Sequence, residues 1–173
     1  MNLRNNKKFL DNFILDLDGV LTDGGFHYSI DGKVYKTFGP DDHDALKFLG
    51  KYLNIRVITA DILGFEISKK RVQEDMKLCL DFVSAEERVD WIAKNFDQSK
   101  TVYMGDGILD PLVFSKVKYS IAPANALQTT KDKADFVTKS TGGNRAVAEA
   151  CMHILVKFFN IKISDFLNSY TKN

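Results

Sequence analysis

The sequence predicts an α/β fold, a doubly wound parallel sheet with helices on both faces, and three observations predict it. Short β-branched or aromatic runs recur along the chain, stretches of helical period separate them, and 173 residues at 45% hydrophobic and 27% charged suit one domain spanning 1–173. The first strand is "NFILDL" at 12–17, apolar enough to be covered on both faces. "FHYSIDGKVYKTF" at 26–38 breaks the alternation and reads as a β-hairpin, with Asp31-Gly32 as its type I′ turn. Ala45, Leu46, Leu49 and Leu53 then recur at helical spacing before the strand "NIRVIT" at 54–59. Val89, Ile92 and Phe96 mark the next helix, followed by strands "TVYM" at 101–104, "KYSIA" at 118–122 and "DFVT" at 135–138. Val147, Ala150, Cys151, Ile154, Leu155 and Phe158 form the apolar stripe of a last helix.

A formal net charge of +1 gives no electrostatic case for nucleic acid or a membrane surface, and the "SKKR" run reads as a solvated helix face. Cys79 and Cys151 fall in apolar helical patterns, as reduced core thiols of a cytoplasmic protein do. The opening "MNLRNNKKFLDN" holds no apolar run of signal-sequence length, which agrees with a cytoplasmic location.

The chemistry is carried by acids. Asp16 and Asp18 close the first strand, Asp23 follows, and Asp106 and Asp110 in "YMGDGILDP" follow the strand at 101–104. Thr59 closes the strand at 54–59. In an open parallel sheet these strand ends share one crevice. Like charges 4 Å apart repel by about 4 kcal/mol at an effective dielectric near 20, so something must compensate. Oxygen-only ligands suit Mg²⁺. An acid beside such an ion can attack a phosphoryl group, while a second serves as acid and base toward the leaving oxygen.

"DLDGVLTDG", with the later "GDGILD", resembles the motifs of the haloacid-dehalogenase-like phosphotransferases. The subgroup it looks like is the capless phosphatases of 3-deoxy-octulosonate 8-phosphate and of nine-carbon 2-keto sugar acid phosphates, with no large cap domain. The likeness runs through "KTFGPDDHDALKFL", "VITAD", "SIAPANA" and "ADFVTKSTGG". It implies Asp16 as the nucleophile and a metal ligand, and Asp18 as acid/base with its backbone carbonyl on the metal. It implies Asp106 as the third protein ligand, Asp110 as its orienting neighbour and Thr59 as a phosphoryl contact.

Two departures stand out. Relatives read "ITGR" or "ITGE" where this chain has Thr59-Ala60-Asp61, so the substrate contacts at Ala60 and Asp61 differ. The lysine that relatives bring to the nucleophile aligns with Ala85 or Glu86; Arg88 is the nearest cation, and reads either as its replacement or as an exposed partner of Glu86. Arg145 and Arg71 are the further substrate candidates, Arg71 by way of a neighbouring subunit's site. Asn125 falls near the site or in an ordinary turn, Asp42 reads as a family position or a helix cap, and His27 and His43 carry no zinc pattern.

The resemblance implies an Mg²⁺-dependent phosphatase of a small phosphomonoester, a sugar or sugar-acid phosphate, in capsule or lipopolysaccharide biosynthesis. It further implies a homotetramer with the hairpin 26–38 and the segment "VKFFNIKISDFL" at subunit contacts. A non-catalytic oligomerisation or regulatory module attached to a sugar-activating enzyme is the alternative, and the missing lysine favours it. A response-regulator receiver domain fits less well, since its phosphorylated aspartate would not sit in a paired motif on the first strand.

Overall fold

Residues 12–16 are buried without exception, and strand β1 (Asn12–Asp16) accordingly lies at the centre of the sheet in the computed structural model, which describes residues 9–162 together with Ser164 and Leu167. Alternation splits the strand between two cores: Phe13 and Leu15 pack into one, Ile14 into the other. Beside β1 lie β4 (Asn54–Thr59) and β6 (Thr101–Met104), both parallel to it. Strand β5 (Cys79–Phe82) extends the sheet past β4, and β7 (Tyr119–Ala122) and β8 (Phe136–Val137) extend it past β6. The six-stranded order β5-β4-β1-β6-β7-β8 reverses direction of winding at β1, where the crevice beyond the strand ends opens.

Helices α1 (Asp42–Leu49) and α6 (Ala146–Phe159) cover one face. Helix α3 (Arg88–Asn95) and the short α4 (Asp110–Phe114) cover the other through Ile92, Val113 and Phe114. Helix α2 begins at Phe65–Lys69 and continues in wider turns to Asp75, and α5 spans only Gln128–Lys131. The Asp42 carboxylate accepts a hydrogen bond from the Ala148 N–H at 2.8 Å, so this acid caps α6 and ties α1 to it rather than capping its own helix. Burial pushes that carboxyl up to about 6.

Three sequence expectations are corrected. Cys79 lies on the edge strand β5, exposed, not in a helix; Lys77 at φ 59° ends the preceding helical turns, and four residues alternating around buried Leu80 are too few to reveal a strand period. Cys151 is buried in α6, and both thiols are free. The hairpin forms, with β2 (His27–Ser29) pairing β3 (Gly32–Tyr35), but its tip is Ile30-Asp31. Only Gly32 takes a positive φ, 119°, so the turn is not type I′, and Asp31 N–H is instead held by Ser29 Oγ at 3.1 Å. The strand predicted at 12–17 stops at Asp16 because Leu17 starts a wide turn, and those at 118–122 and 135–138 shrink to Tyr119–Ala122 and Phe136–Val137.

No helix among the described residues is long and apolar enough to cross a membrane. Residues 1–8 and most of the C-terminal segment beyond 162 lie outside the described residues.

Candidate active site

Strand β1 delivers Asp16 to the crevice, and the backbone turns sharply behind it. Leu17–Leu21 form one wide turn closed by Thr22 N–H to the Leu17 carbonyl at 3.0 Å. Gly19 sits in it at φ 84°, and a Cβ there would lie 2.0 Å from Asp106 Oδ2, so only glycine allows the two strand ends to approach this closely. Asn125 locks the turn from outside: its Nδ2 donates to the Gly19 carbonyl at 2.9 Å, while its Oδ1 accepts from Gly142 N–H at 2.6 Å. Asn125 is thus a brace for the turn behind Asp16.

Asp16 engages both oxygens, accepting from Leu17 N–H at 2.8 Å and from Arg88 Nη1 at 2.7 Å. Arg88 is buried at the start of α3 and reaches inward, donating also to Asp110 Oδ1 at 2.9 Å and to the Tyr103 hydroxyl at 3.1 Å. Asp110 accepts the Tyr103 O–H at 2.8 Å and Gly107 N–H at 2.7 Å, which fixes it as an anchored acid. Asp16, Asp106 and Asp110 place carboxylate oxygens within 4.8 Å of one another.

One guanidinium does not balance three carboxylates. Burial above all, then the neighbouring acids working against Arg88, raise Asp16 to about 7, and burial with Asp110 raises Asp106 to about 7. Neutral-range carboxyls in an oxygen-only set fit a hard divalent cation, which would take the place of the protons.

Asp18 turns the other way. Its Oδ1 meets Lys36 Nζ at 2.7 Å and its Oδ2 accepts the Thr59 hydroxyl at 2.9 Å, so its side chain stands apart from the acid cluster. Lys36, whose side chain is fully buried, spends its other two hydrogens on Asp61 Oδ2 and Ser68 Oγ, each at 2.9 Å. Lys33 pairs with the same Asp61 carboxylate and sits 4.0 Å above the Phe26 ring. Burial would raise Asp61, but the hydrogen bonds from Lys33 and Lys36 outweigh it and hold the carboxyl below its usual range.

The cleft therefore has two adjoining halves sharing Asp16, Asp18, Phe26 and Arg88. One, about 450 Å³, runs under Ala85, Glu86 and Asp106; the other, about 360 Å³, runs between Tyr28, Lys33, Ala60 and Asp61. Of the sequence-predicted residues, Asp16, Asp18, Thr59, Ala60, Asp61, Arg88, Asp106 and Asp110 meet here. Arg88 is no exposed partner of Glu86. Arg71 instead lies on the surface of its helix, 3.9 Å from Asp75, and Arg145 pairs with Asp41 at 2.6 Å, so neither lines this cleft within one chain. His27 stacks on Tyr35 at 4.0 Å. Sequence reading missed Lys33, Lys36, Phe26 and Tyr103. The available signal was an added acid, Asp61, in a rim already too acidic, which required cations from the element standing beside it.

Residues 65–150 match the family described as haloacid dehalogenase-like hydrolase. The 3-deoxy-D-manno-octulosonate 8-phosphate phosphatase of Salmonella typhi is 30% identical over 153 residues, covering 83% of this chain and 78% of that protein. The cobalt-bound deoxy-D-mannose-octulosonate 8-phosphate phosphatase of Haemophilus influenzae superposes with a TM-score of 0.77 at 26% identity, over 92% of this chain and 98% of that one. The Moraxella catarrhalis phosphatase, in complex with magnesium, phosphate and its KDO molecule, shares the fold with a TM-score of 0.78 at 24% identity, over 94% of each chain.

Proposed function

We propose, for a chain that belongs to the haloacid dehalogenase-like hydrolases and among them to the 3-deoxy-D-manno-octulosonate 8-phosphate phosphatase group, that it hydrolyses a small sugar or sugar-acid phosphomonoester through an aspartyl-phosphate on Asp16. It is a phosphoric monoester hydrolase, and its cofactor is Mg²⁺. The observation that carries the mechanism is the arrival of the buried Arg88 guanidinium 2.7 Å from the Asp16 carboxylate.

Asp16, Asp106 and the backbone at Asp18 would hold Mg²⁺, which when bound neutralises the acids and withdraws charge from the phosphoryl oxygens. Asp16 attacks phosphorus, forming an O–P bond as the bond to the leaving oxygen breaks. Asp18 hands its proton to that departing alkoxide, then takes one from the water that hydrolyses the aspartyl-phosphate. Arg88, in place of the lysine that relatives bring from the positions of Ala85 or Glu86, supplies fixed positive charge to the transition state. Asp110 and Tyr103 hold Arg88 in register, as their hydrogen bonds to it at 2.9 and 3.1 Å support. Thr59 contacts the phosphoryl group once its hydroxyl leaves Asp18. The non-catalytic alternative drew on an absent cation, and with Arg88 at the nucleophile that support is gone.

The pathway is the assembly of a cell-surface polysaccharide, and the location is cytoplasmic, in keeping with two free thiols. A homotetramer closes the cleft from outside, with Arg71 reaching a neighbour's site; exposed Phe26, Tyr28, Val34 and Tyr35 on the hairpin support that reading. Light scattering at micromolar concentration tests it, and a monomer would count against it. The chemistry is tested by phosphate release from sugar, sugar-acid and amino-alcohol phosphates with and without Mg²⁺. Turnover is expected with the ion and is expected to vanish in Asp16→Asn; turnover surviving that substitution would remove the nucleophile.

A further inference from the structure

Pairing between β1 and β6 ends at Leu15 and Met104, so beyond the strand ends the sheet no longer fixes how far Asp16 and Asp18 stand from Asp106. A third segment does. The stretch from Pro123 into α5 grips both neighbouring loops. Toward β1, Asn125 Nδ2 donates to the Gly19 carbonyl at 2.9 Å. Toward β6, Leu127 N–H reaches the Asp106 carbonyl at 3.4 Å and Thr130 Oγ1 donates to the Gly107 carbonyl at 2.9 Å. The two grips are unequal. Gly107 is held a second time, its N–H donating to Asp110 at 2.7 Å. Gly19 has a positive φ and no side chain, so its orientation depends on what binds its two flanking peptides. The N–H of the Asp18–Gly19 peptide reaches Thr22 Oγ1 only at 3.3 Å, and the next peptide is held by Asn125. Because a Cβ on Gly19 would lie 2.0 Å from Asp106 Oδ2, the turn and that carboxylate are already in contact, and any drift of Gly19 alters the gap between them.

Resting on the Mg²⁺ site proposed above, we infer that Asn125 is a positioning residue for the divalent cation: it sets the spacing between the Asp18 carbonyl and the Asp106 carboxylate, and with it affinity for the ion. Its amide supplies a donor to Gly19 and an acceptor to Gly142 at once, which the side chain of alanine or serine does not do. Without that bridge the competent spacing is one of several. The ion must then select it, so apparent affinity falls by the populated fraction, while the ion-saturated protein is the same as before. Asn125 thereby acts on the concentration of Mg²⁺ required and leaves the chemistry at phosphorus alone.

The test measures ion affinity in two ways: as half-saturating Mg²⁺ for p-nitrophenyl phosphate hydrolysis and, with no substrate present, as Mn²⁺ binding followed by electron paramagnetic resonance of the free ion. Asn125→Ala is expected to weaken both about tenfold, with kcat at saturating Mg²⁺ within about threefold of the wild type. Asn125→Ser, which keeps one polar atom but spans only one of the two backbone groups, carries the same expectation and decides if the alanine variant does not fold. The control is Asn12→Ala. That asparagine also makes side-chain hydrogen bonds in both directions, to Thr101 and from Asn54, but it is buried at the opposite end of β1. It is expected to lower the melting temperature at least as much as Asn125→Ala and to leave both affinities within about twofold. Affinity unmoved in the Asn125 variants, affinity moved equally in Asn12→Ala, or a lower kcat at saturating Mg²⁺ with Mn²⁺ binding intact would overturn the assignment. Weakened Mn²⁺ binding in a chain that hydrolyses no ester would support it while removing the phosphatase reading, so the two fail separately.

Discussion

The two halves of the cleft solve one electrostatic problem in opposite ways. On the β6 side, three carboxylates converge on a single guanidinium, and burial with mutual repulsion lifts Asp16 and Asp106 to about 7. On the hairpin side, Asp18 and Asp61 meet two lysines, and Asp61 is held below its usual range. The difference teaches that only one half is incomplete without an ion. The proposed mechanism draws its divalent cation and its phosphoryl group to that deficit, while the balanced half ties the hairpin to the loop after β4.

The sharpest way to break that contrast is on the deficient side. Arg88→Met removes its one fixed cation and is expected to lower kcat/KM about 10³-fold, the scale of losing a preorganised charge at a transition state, with Arg88→Lys recovering part of the loss. The counterpart on the balanced side is Lys36→Met, which strands Asp18 beside a buried methyl group and leaves Asp61 with Lys33 alone. It is expected to cost about 3 kcal/mol of unfolding free energy in urea, because breaking a buried pair leaves the partner charge uncompensated.

A smaller effect sharpens the same distinction through pH. Asp16 and Asp106 are raised in the folded state above an unfolded value of 3.8, so their contribution to stability is complete below pH 4 and is lost as pH rises through about 7. In EDTA the melting temperature should therefore fall between pH 5 and 8, by roughly 5 °C in a domain of this size. Millimolar Mg²⁺ should cancel most of that fall by binding the ionised form. A melting temperature equally steep in pH with and without Mg²⁺ would erase the difference between the halves.

The sheet and its rim of acids were legible because each depends on local pattern. Apolar runs at β1, β4 and β6 name buried strands, and an acid or hydroxyl directly after each names the crevice. Arg88 was visible as the nearest cation, but whether it faced inward depended on the phase of α3. Strand β5 was hidden because "CLDF" alternates too briefly to separate from the helical turns before it. Lys33 and Lys36 were missed for a different reason: the extra acid Asp61 asked for cations nearby, but a lysine on a hairpin is solvated by default. Only the tertiary placement of Asp61 and Asp18 over that hairpin turns both into interior charges.

The brace on Gly19 has a consequence for how the molecule comes into being. The turn behind Asp16 receives its hydrogen bond from Asn125, and Asn125 is in turn fixed by Gly142. During synthesis the ribosome releases residues 16 to 19 long before either partner exists. A growing chain thus carries the Asp16 carboxylate in an unfinished loop, and that turn locks only once residue 142 has emerged.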